Sequence, residues 1–375
     1  MSIQRFDHPS ITIDELSPHL ELAWKCNRSL FVIGDFGVGK TTTVVDFAKK
    51  NGALFVPMVA SMMDRLDLAG LPYGDKKTGT TKTFPSETIA SLSSEKNPGG
   101  PPAILYLNEF NASPDSVQPT FLRLIGERQV GDLSIRKNVL VVADGNPSSA
   151  SRLSRDLPEP TRRRFNWVVV RSSASVWCDY AASSGINPLV PAFLSQQSKF
   201  FYTFDPSKKH HLCYACGASW ERLAVDLELA TQTLGEESEA FKKWACGVVG
   251  VEAGHQFSTF MRHREAIPNV FDFLKKPAIC ALPKEPDVMW VFLASVAQVA
   301  SDSPDLYLPP TARLISRLFD ENMAEHGAYL IRYLGKSPAI GSKLWEHEGS
   351  QQMMDAVMKH PDLVQALLNR STTAA

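Results

Sequence analysis

The chain has 375 residues and a formal net charge of −1, with 39 lysines and arginines against 40 aspartates and glutamates. This balance excludes an overall field that would draw the protein to nucleic acid or to an anionic membrane. Polar first residues and the lack of a long apolar run speak against a secretory signal and a transmembrane helix, and six scattered cysteines fit a reducing compartment. We therefore expect a cytoplasmic protein, and the length predicts two or three domains.

A glycine-rich loop follows the first predicted strand. After a helix at 14–26, the apolar run at 29–33 predicts a buried strand, and residues 42–50 predict a helix with one apolar side. The loop between strand and helix fits the phosphate-binding pattern G-x-x-x-x-G-K-S/T at every fixed position, and it consists of Gly34, Asp35, Phe36, Gly37, Val38, Gly39, Lys40 and Thr41. Such a loop turns backbone N–H groups toward an anion, and the helix N-terminus adds partial positive charge.

We therefore predict that these residues, together with Thr42, bind ATP. Lys40 would place its charge on the β- and γ-phosphates, and Thr41 would offer its hydroxyl to Mg²⁺. The alternative is a glycine-rich turn without a ligand. It does not explain why a buried strand and a helix flank the loop in the order that the pattern requires.

A second group of candidate site residues follows an apolar strand predicted at 103–107. Asn108 and Glu109 come at its carboxyl end, which is the edge of a parallel sheet where ligands bind. Before it come a predicted strand, a loop or hairpin insertion and a short helix, at 53–58, 62–83 and 87–92. P-loop ATPases normally have Asp-Glu here: the Asp helps to hold Mg²⁺, and the Glu orients or deprotonates the attacking water. Asn108 offers an oxygen but no negative charge, so we expect weaker Mg²⁺ binding and slow catalysis.

A third polar strand end carries Asn146. A helix at 115–127 and a hairpin at 128–135 lead into a buried strand that begins at residue 138 and ends in Asn146 and Pro147. An Asn-Pro pair on its own is most simply a turn. Because this pair follows a core strand downstream of the two earlier motifs, we favour a side-chain amide that holds the attacking water or the γ-phosphate.

Three arginines at 162–164 precede Phe165 and a strand at 166–171. They could form a solvated basic cluster, or one of them could be an arginine finger that reaches a neighbouring subunit's nucleotide. From residue 172 onward the pattern is helical. Helices are predicted at 175–183, 189–197, 220–233, 238–246, 255–263, 286–300, 311–326, 353–358 and 363–368, with a glycine-rich break at 247–254.

In this order the motifs resemble those of the AAA+ ATPases, specifically the MoxR-like branch, over about residues 10–265. The matching segments are Asn108-Glu109-Phe110-Asn111, Gln118, Glu127-Arg128-Gln129-Val130, Ala143-Asp144-Gly145-Asn146-Pro147, and Leu157-Pro158 with Arg164-Phe165. The resemblance implies an α/β fold: a P-loop αβα sandwich with a parallel sheet, followed by an α-helical lid and a C-terminal helical region. The corresponding domains are 1–171, 172–265 and 266–375.

The resemblance also implies roles for single residues. These are Walker A for Lys40 and Thr41, Walker B for Asn108 and Glu109, sensor 1 for Asn146, and an arginine finger acting in trans for Arg164. Glu109, Asn146 and Arg164 would be catalytic, and Thr41 with Asn108 would hold Mg²⁺.

One residue that the family pattern contains is absent. The pattern has an arginine just before a Thr/Ser-Trp-Glu run on a lid helix, whereas here Ala218 precedes the run Ser219-Trp220-Glu221. Arg222 lies about one helical turn further on and could substitute at the γ-phosphate. If neither position supplies a cation, hydrolysis loses a second positive contact.

The function implied by the resemblance is a hexameric ring that hydrolyses ATP with Mg²⁺ between subunits and remodels a protein partner, often one with a von Willebrand factor A domain. Segments 67–72 and 128–135 match insertions that face a central pore or the partner. Two alternatives stay open. One is a nucleotide-gated scaffold that barely hydrolyses ATP, which Asn108 and Ala218 favour. The other is a DNA-acting AAA+ motor subunit, which the near-neutral charge opposes.

A candidate zinc site lies at Cys213 and Cys216, beside His210 and His211. Together these side chains could supply a tetrahedral set of ligands. Adjacent histidines rarely both reach one ion, and no second C-x-x-C follows. Free thiols are therefore the default prediction.

Overall fold

The structure is a computed structural model that describes residues 8–77, 79–148, 154–207, 212–338, 340–346 and 349–360, excluding the side chains of residues 264 and 265. It divides into two compact units, Met1–Ser172 and Ser173–Ala375. The first is built around a β-sheet, and the second is helical over its described residues. A further division of the second unit at residue 265 into a lid and an accessory region stays a prediction.

The first unit alternates strands and helices. In chain order its elements are β1 (Ser10–Ile11), α1 (Leu16–Lys25), β2 (Leu30–Gly34), α2 (Lys40–Lys50), β3 (Leu54–Val59), α3 (Arg65–Ala69), β4 (Leu71–Asp75), β5 (Thr80–Phe84), α4 (Glu87–Leu92), β6 (Ala103–Asn108), α5 (Gln118–Glu127), β7 (Gln129–Val130), β8 (Leu133–Ser134), β9 (Val139–Gly145), α6 (Glu159–Arg162) and β10 (Asn166–Val170). Short 3₁₀ turns lie at Ile13–Glu15, Ala60–Met62 and Phe110–Ala112.

Six of these strands form one parallel sheet in the order β1-β10-β2-β9-β6-β3. Because all six run in the same direction, the carboxyl ends of β2, β9 and β6 lie side by side at one edge. These three strands are almost wholly buried, which explains why they appear in the sequence as continuous apolar runs. The predicted α/β class with a parallel sheet is confirmed.

Helices cover both faces of this sheet. Successive residues of a strand point to opposite faces, so neighbours in β2 belong to different cores. Phe31 packs in a core that includes Phe121 of α5. Val32 packs in a core that includes Leu20 of α1 and Val44 of α2. The first unit is therefore a three-layered αβα sandwich.

The predicted insertion at 62–83 folds as the short helix α3 and the antiparallel hairpin β4–β5. Tyr73 stacks on Phe84 across the hairpin, with ring centroids 4.0 Å apart. Large apolar side chains are exposed along this insertion: Met62, Leu66, Leu71 and Phe84. We call these four side chains the insertion patch, and they lie outside the cores of the sheet.

The second unit has one hydrophobic core. In chain order its described helices are α7 (Ala174–Ser183), α8 (Leu189–Gln196), α9 (Gly217–Leu234), α10 (Glu239–Val249), α11 (Val251–Arg262), α12 (Val270–Lys275), α13 (Pro286–Asp302), α14 (Pro304–Asp320), α15 (Ala324–Lys336) and α16 (Ser350–Met358). Short 3₁₀ turns lie at Ser198–Phe200, His263–Ala266 and Gly341–Trp345. The core joins Phe193, Trp220 and Phe257 to Phe292 and Phe319, so side chains from both sides of residue 265 contribute to it.

The prediction of a single helix at 311–326 is wrong. Two helices occupy this region: α14 begins earlier, and α15 is a helix that the sequence patterns did not predict. Pro309 and Pro310 lie inside α14, where burial of neighbours such as Leu308 outweighs the backbone hydrogen bonds that the prolines remove. Asn322 then takes a left-handed backbone conformation, with a φ of 60°, and ends α14.

The break predicted at 247–254 is confined to Gly250, whose φ of 90° separates α10 from α11. Gly254 is helical, and a Cβ there would lie 2.5 Å from the Cys246 backbone. This glycine therefore lets α10 and α11 approach closely. The helix predicted at 363–368 lies outside the described residues. None of the described helices is long and apolar enough to cross a lipid bilayer.

Candidate active site

The glycine loop joins β2 to α2 at the carboxyl edge of the sheet. Gly37 and Gly39 have φ values of 62° and 97°, which glycine adopts without strain. Gly39 is the N-cap of α2, and no described side chain caps the helix. The first backbone N–H groups of α2, at Lys40, Thr41 and Thr42, therefore have no intrahelical partner and are suited to bind an anion.

Lys40 is buried at the centre of the site, with 7% of its surface exposed. Its Nζ donates to the backbone oxygens of Gly34 and Asp35, both at 2.9 Å, and to Oδ1 of Asn146 at 3.1 Å. These hydrogen bonds use all the donors of the ammonium group and hold its charge beside the loop. Burial lowers the pKa of Lys40, and nearby carboxylates, first of all Asp144, oppose that shift.

The loop contacts β10, the last strand of the sheet in chain order, and the residues that follow it. The carboxylate of Asp35 accepts hydrogen bonds from the backbone N–H and the hydroxyl of Ser172, at 3.1 and 2.8 Å. A Cβ at Gly34 would lie 2.3 Å from the carbonyl oxygen of Val170, so the first glycine is required by the close approach of β2 and β10. Residues 36–38, between these anchors and α2, are half-buried.

Tyr106 of β6 connects the loop to the neighbouring strand. Its hydroxyl lies 3.1 Å from Oγ1 of Thr41 and interacts electrostatically with the carboxylate of Asp144. Asp144 is 5% exposed; burial raises its pKa, while the charge of Lys40 opposes the shift. The sequence patterns assign no role to Tyr106 or Asp144. The available signal was a carboxylate and a phenol in otherwise apolar core strands.

Asn108 is the last residue of β6, and Glu109 follows it directly. Glu109 has a left-handed backbone with a φ of 53°, which is uncommon for a residue with a side chain, and its N–H donates to Oδ1 of Asp144 at 2.9 Å. Its carboxylate is exposed and accepts a hydrogen bond from the hydroxyl of Ser61 at 2.9 Å. Ser61 lies just after β3. It reaches Glu109 because β3 and β6 are neighbouring strands in the sheet.

Asn146 lies against Lys40, where its side chain can face a phosphate, rather than in an isolated turn. Its own carbonyl oxygen accepts a hydrogen bond from Nδ2 of Asn111 at 2.7 Å. Asn111 is 5% exposed, and its Oδ1 has no hydrogen-bond partner among the described residues. Asn111 therefore positions the end of β9 and, through it, the amide that contacts Lys40.

We expect Gly145→Ala to destabilise the first unit. A Cβ at Gly145 would lie 2.4 Å from Oδ1 of Asn111 and 3.0 Å from Cζ of Phe31, so side chains must shift at a cost of about 1–3 kcal/mol in the free energy of unfolding. Denaturant titration measures this loss. Gly99→Ala is the matched control, because its Cβ would meet no atom within 4 Å. An unchanged midpoint in Gly145→Ala would mean that Asn111 moves without cost.

Arg164 is held by its own part of the chain. Its Nη1 donates to the carbonyl oxygen of Pro160 at 2.7 Å, and its side chain packs against Gly126 of α5. Within the described residues it forms no hydrogen bond or ion pair with Lys40 or Glu109. The role of Arg164 as an arginine finger acting in trans stays a prediction.

The predicted sensor 2 region lies at the start of α9 in the helical unit. Ala218 and Arg222 are both exposed, whereas Trp220 is wholly buried and its indole N–H donates to the carbonyl oxygen of Phe200 at 3.1 Å. Glu221 accepts a hydrogen bond from the Tyr180 hydroxyl at 2.8 Å. Contact between Arg222 and a nucleotide stays a prediction.

The zinc prediction falls partly outside the described residues, because His210 and His211 are not among them. The thiol of Cys213 donates to the carbonyl oxygen of Cys246 at 3.1 Å, and Cys216 is buried as a free thiol. In the part of the chain that the structure describes, no group of three or more histidine, cysteine, aspartate or glutamate side chains is placed to hold a metal ion.

The residues of the site fit a nucleoside triphosphate with Mg²⁺. The backbone N–H groups of the loop and the buried charge of Lys40 suit phosphate oxygens. The hydroxyl of Thr41 and the amide oxygen of Asn108 are hard oxygen ligands of the kind that Mg²⁺ takes alongside phosphate. If Mg²⁺ binds there with the nucleotide, it would neutralise negative charge on the phosphates.

Comparison with family models matches residues 29–165 to the AAA domain of the dynein-related subfamily. No curated protein matches the sequence at a significant level. Among solved structures, a Cytophaga hutchinsonii protein described as a candidate ATPase is 13% identical, covers 92% of this chain and 80% of its own, and has a TM-score of 0.31. A point mutant of Thermotoga maritima RuvB is 13% identical and covers 90% of this chain and 88% of its own, with a TM-score of 0.33.

The Thermotoga maritima RuvB Holliday junction branch migration motor is 14% identical, covers 84% of this chain and 77% of its own, and has a TM-score of 0.32. These likenesses are too distant to add to the fold described above. The family match covers the glycine loop, the ends of β6 and β9, and the arginines before β10. Residues 29–165 therefore match an AAA domain, and the sheet unit that contains them has the fold of P-loop AAA+ ATPases.

Proposed function

We propose that the protein is a MoxR-like AAA+ ATPase that binds ATP with Mg²⁺ and uses its hydrolysis to remodel or activate a protein partner. The observation that carries the proposal is that three distant segments meet at one edge of the sheet. Lys40 of the loop at 34–41 contacts Asn146, and the N–H of Glu109, at the strand end at 108–109, donates to Asp144. Each brings a group that phosphoryl transfer to water requires.

In this proposal each group has one task. The loop, Lys40 and Thr41 bind the triphosphate and the metal ion. The Glu109 carboxylate accepts the proton of the attacking water, and Asn146 orients that water or the γ-phosphate. The hydrogen bond from Ser61 to Oε2 orients the Glu109 carboxylate and leaves Oε1 free to accept the proton.

We further propose a ring, a hexamer in the simplest case, in which Arg164 of one subunit reaches the nucleotide of the next. The exposed insertion patch supports a protein partner, because Leu71 and Phe84 are paired across the hairpin and adjacent apolar side chains on a surface favour contact with another molecule. The partner could carry a von Willebrand factor A domain. Residues 172–265 would act as the lid, with Arg222 near the γ-phosphate, and 266–375 as an accessory region.

A second candidate is a nucleotide-gated scaffold with little or no hydrolysis. The neutral Asn108, the missing cation at Ala218 and the contact between Ser61 and Glu109 favour it. In such a protein ATP binding would stabilise the assembly, and slow turnover would release it.

Steady-state phosphate release with Mg²⁺, compared between the parent chain and Asn108→Asp, separates the two candidates. For the ATPase we expect release that saturates with ATP in the parent and changes little in the variant. ATP binding with background release in the parent, together with a large gain in Asn108→Asp, would favour the scaffold. Solution mass with a non-hydrolysable ATP analogue tests the ring, and a chain without affinity for adenine nucleotides would contradict both candidates.

A further inference from the structure

Asp144 lies beside the position where the expected acidic residue is replaced by Asn108. The strands β6 and β9 are parallel, with Tyr106 paired to Val142 and Leu107 to Ala143. The next pair in this register is Asn108 and Asp144. In parallel strands paired residues point to the same face, so Asp144 stands on the face of Tyr106 and α2.

The Asp144 carboxylate is connected to the metal-binding hydroxyl predicted at Thr41. The Tyr106 hydroxyl lies 3.1 Å from Oγ1 of Thr41 and interacts electrostatically with the Asp144 carboxylate. The N–H of Glu109 donates to Oδ1 of Asp144 at 2.9 Å. A single phenol thus lies between a carboxylate and the threonine that follows Lys40.

No cation directly neutralises this carboxylate within the described part of the chain. Asp144 forms no ion pair with a described residue, and the three donors of Lys40 are already used by oxygens of Gly34, Asp35 and Asn146. A carboxylate that is 5% exposed is costly without a cation in contact with it. A divalent cation at Thr41 would supply that missing charge.

We propose that Asp144 provides to Mg²⁺ the negative charge that Asn108 lacks. The acidic group of the proposed metal site therefore lies at the end of β9 instead of the end of β6. Tyr106 positions this group toward Thr41. This inference rests on the proposed function, since the metal ion binds together with ATP. It replaces the expectation of weak Mg²⁺ binding that Asn108 alone suggests.

The test measures binding rather than turnover. The full-length chain is titrated with a fluorescent ATP analogue at a series of Mg²⁺ concentrations and in excess chelator, and Mn²⁺ binding is followed by electron paramagnetic resonance. The variants are Asp144→Asn, Asn108→Asp and the double exchange of both. Tyr106→Phe is included because it keeps the core shape and remains informative if Asp144→Asn fails to fold.

We expect Asp144→Asn to raise the Mg²⁺ concentration needed for half-maximal binding by about tenfold or more, corresponding to about 1.4 kcal/mol. In chelator its nucleotide affinity should be equal to or above that of the parent, because a negative charge near the phosphates is gone. The double exchange should restore Mg²⁺ dependence and the Mn²⁺ signal. Tyr106→Phe should raise the Mg²⁺ requirement by a smaller factor, roughly fivefold for one lost hydrogen bond.

Equal loss of affinity with and without Mg²⁺ in Asp144→Asn, without rescue by the double exchange, would overturn the inference and make Asp144 a distant counter-ion of Lys40. Unchanged Mg²⁺ dependence in Tyr106→Phe and in Asp144→Asn would overturn it as well. If instead the parent binds no nucleotide under any condition, the proposed function itself fails. The two failures are therefore distinguishable.

Discussion

Glu109→Gln is expected to lower steady-state phosphate release by a factor on the order of 10²–10⁴ while ATP remains bound. The amide keeps the size of the side chain but cannot accept a proton from water. The exposed carboxylate stands at the end of β6, and the left-handed backbone of Glu109 is held by Asp144, so the substitution leaves the strand end in place. Phosphate release and retention of a fluorescent ATP analogue are measured on the same preparation.

The control for this substitution is Glu239→Gln, an exposed glutamate at the start of α10 in the helical unit. Its ion pair with Lys242 is at the surface, at 3.4 Å, so its loss should change neither turnover nor binding. If Glu109→Gln releases phosphate as fast as the parent, Glu109 is not the base. Loss of binding together with turnover would place Glu109 in nucleotide recognition instead.

Arg164→Ala is expected to lower hydrolysis by a factor on the order of 10³ without weakening ATP binding by the altered subunit. Removing the guanidinium takes away the charge that would stabilise the transition state in the neighbouring subunit. The decisive measurement is the hydrolysis rate of a mixture of Arg164→Ala and Glu109→Gln subunits. Arg164→Ala subunits retain Glu109, and Glu109→Gln subunits retain Arg164, so a mixture should regain activity that neither variant has alone.

The neighbouring arginines provide controls for this experiment. The Arg163 side chain is exposed and forms no hydrogen bond or ion pair with a described residue, so Arg163→Ala should leave turnover unchanged. Arg162 pairs with Glu159 at 2.7 Å on the surface, and Arg162→Ala should cost little. Absence of rescue in a mixture whose ring mass is intact would show that Arg164 does not act between subunits.

The structure changes how the neutral Asn108 is interpreted. From the strand end alone, a missing carboxylate indicates a weak metal site and a slow enzyme. In our proposal Asp144, at the adjacent position of β9, supplies the acidic group that a P-loop ATPase needs near its metal ion. The remaining features that favour slow turnover are Ala218 and the hydrogen bond that Ser61 gives to Glu109.

The errors in the helical unit have a common cause. Pro309 and Pro310 inside α14, and Gly254 inside α11, are residues that usually end helices. In each case tertiary packing outweighs the local preference: the core buries Leu308, and Gly254 permits close contact with α10. Local sequence does not contain that information, because the packing partner is elsewhere in the chain.

The sequence by itself determined the glycine loop, the buried strands on either side of the site, and the polar ends at Asn108, Glu109 and Asn146. Those signals are local, since a buried parallel strand is a continuous apolar run and a helix N-terminus is defined by the residues that form it. Only the tertiary structure decided which side chains meet. The contacts of Tyr106 with Thr41 and of Lys40 with Asn146 join residues 65 and 106 positions apart. They depend on the order β2-β9-β6, which places strands distant in sequence side by side.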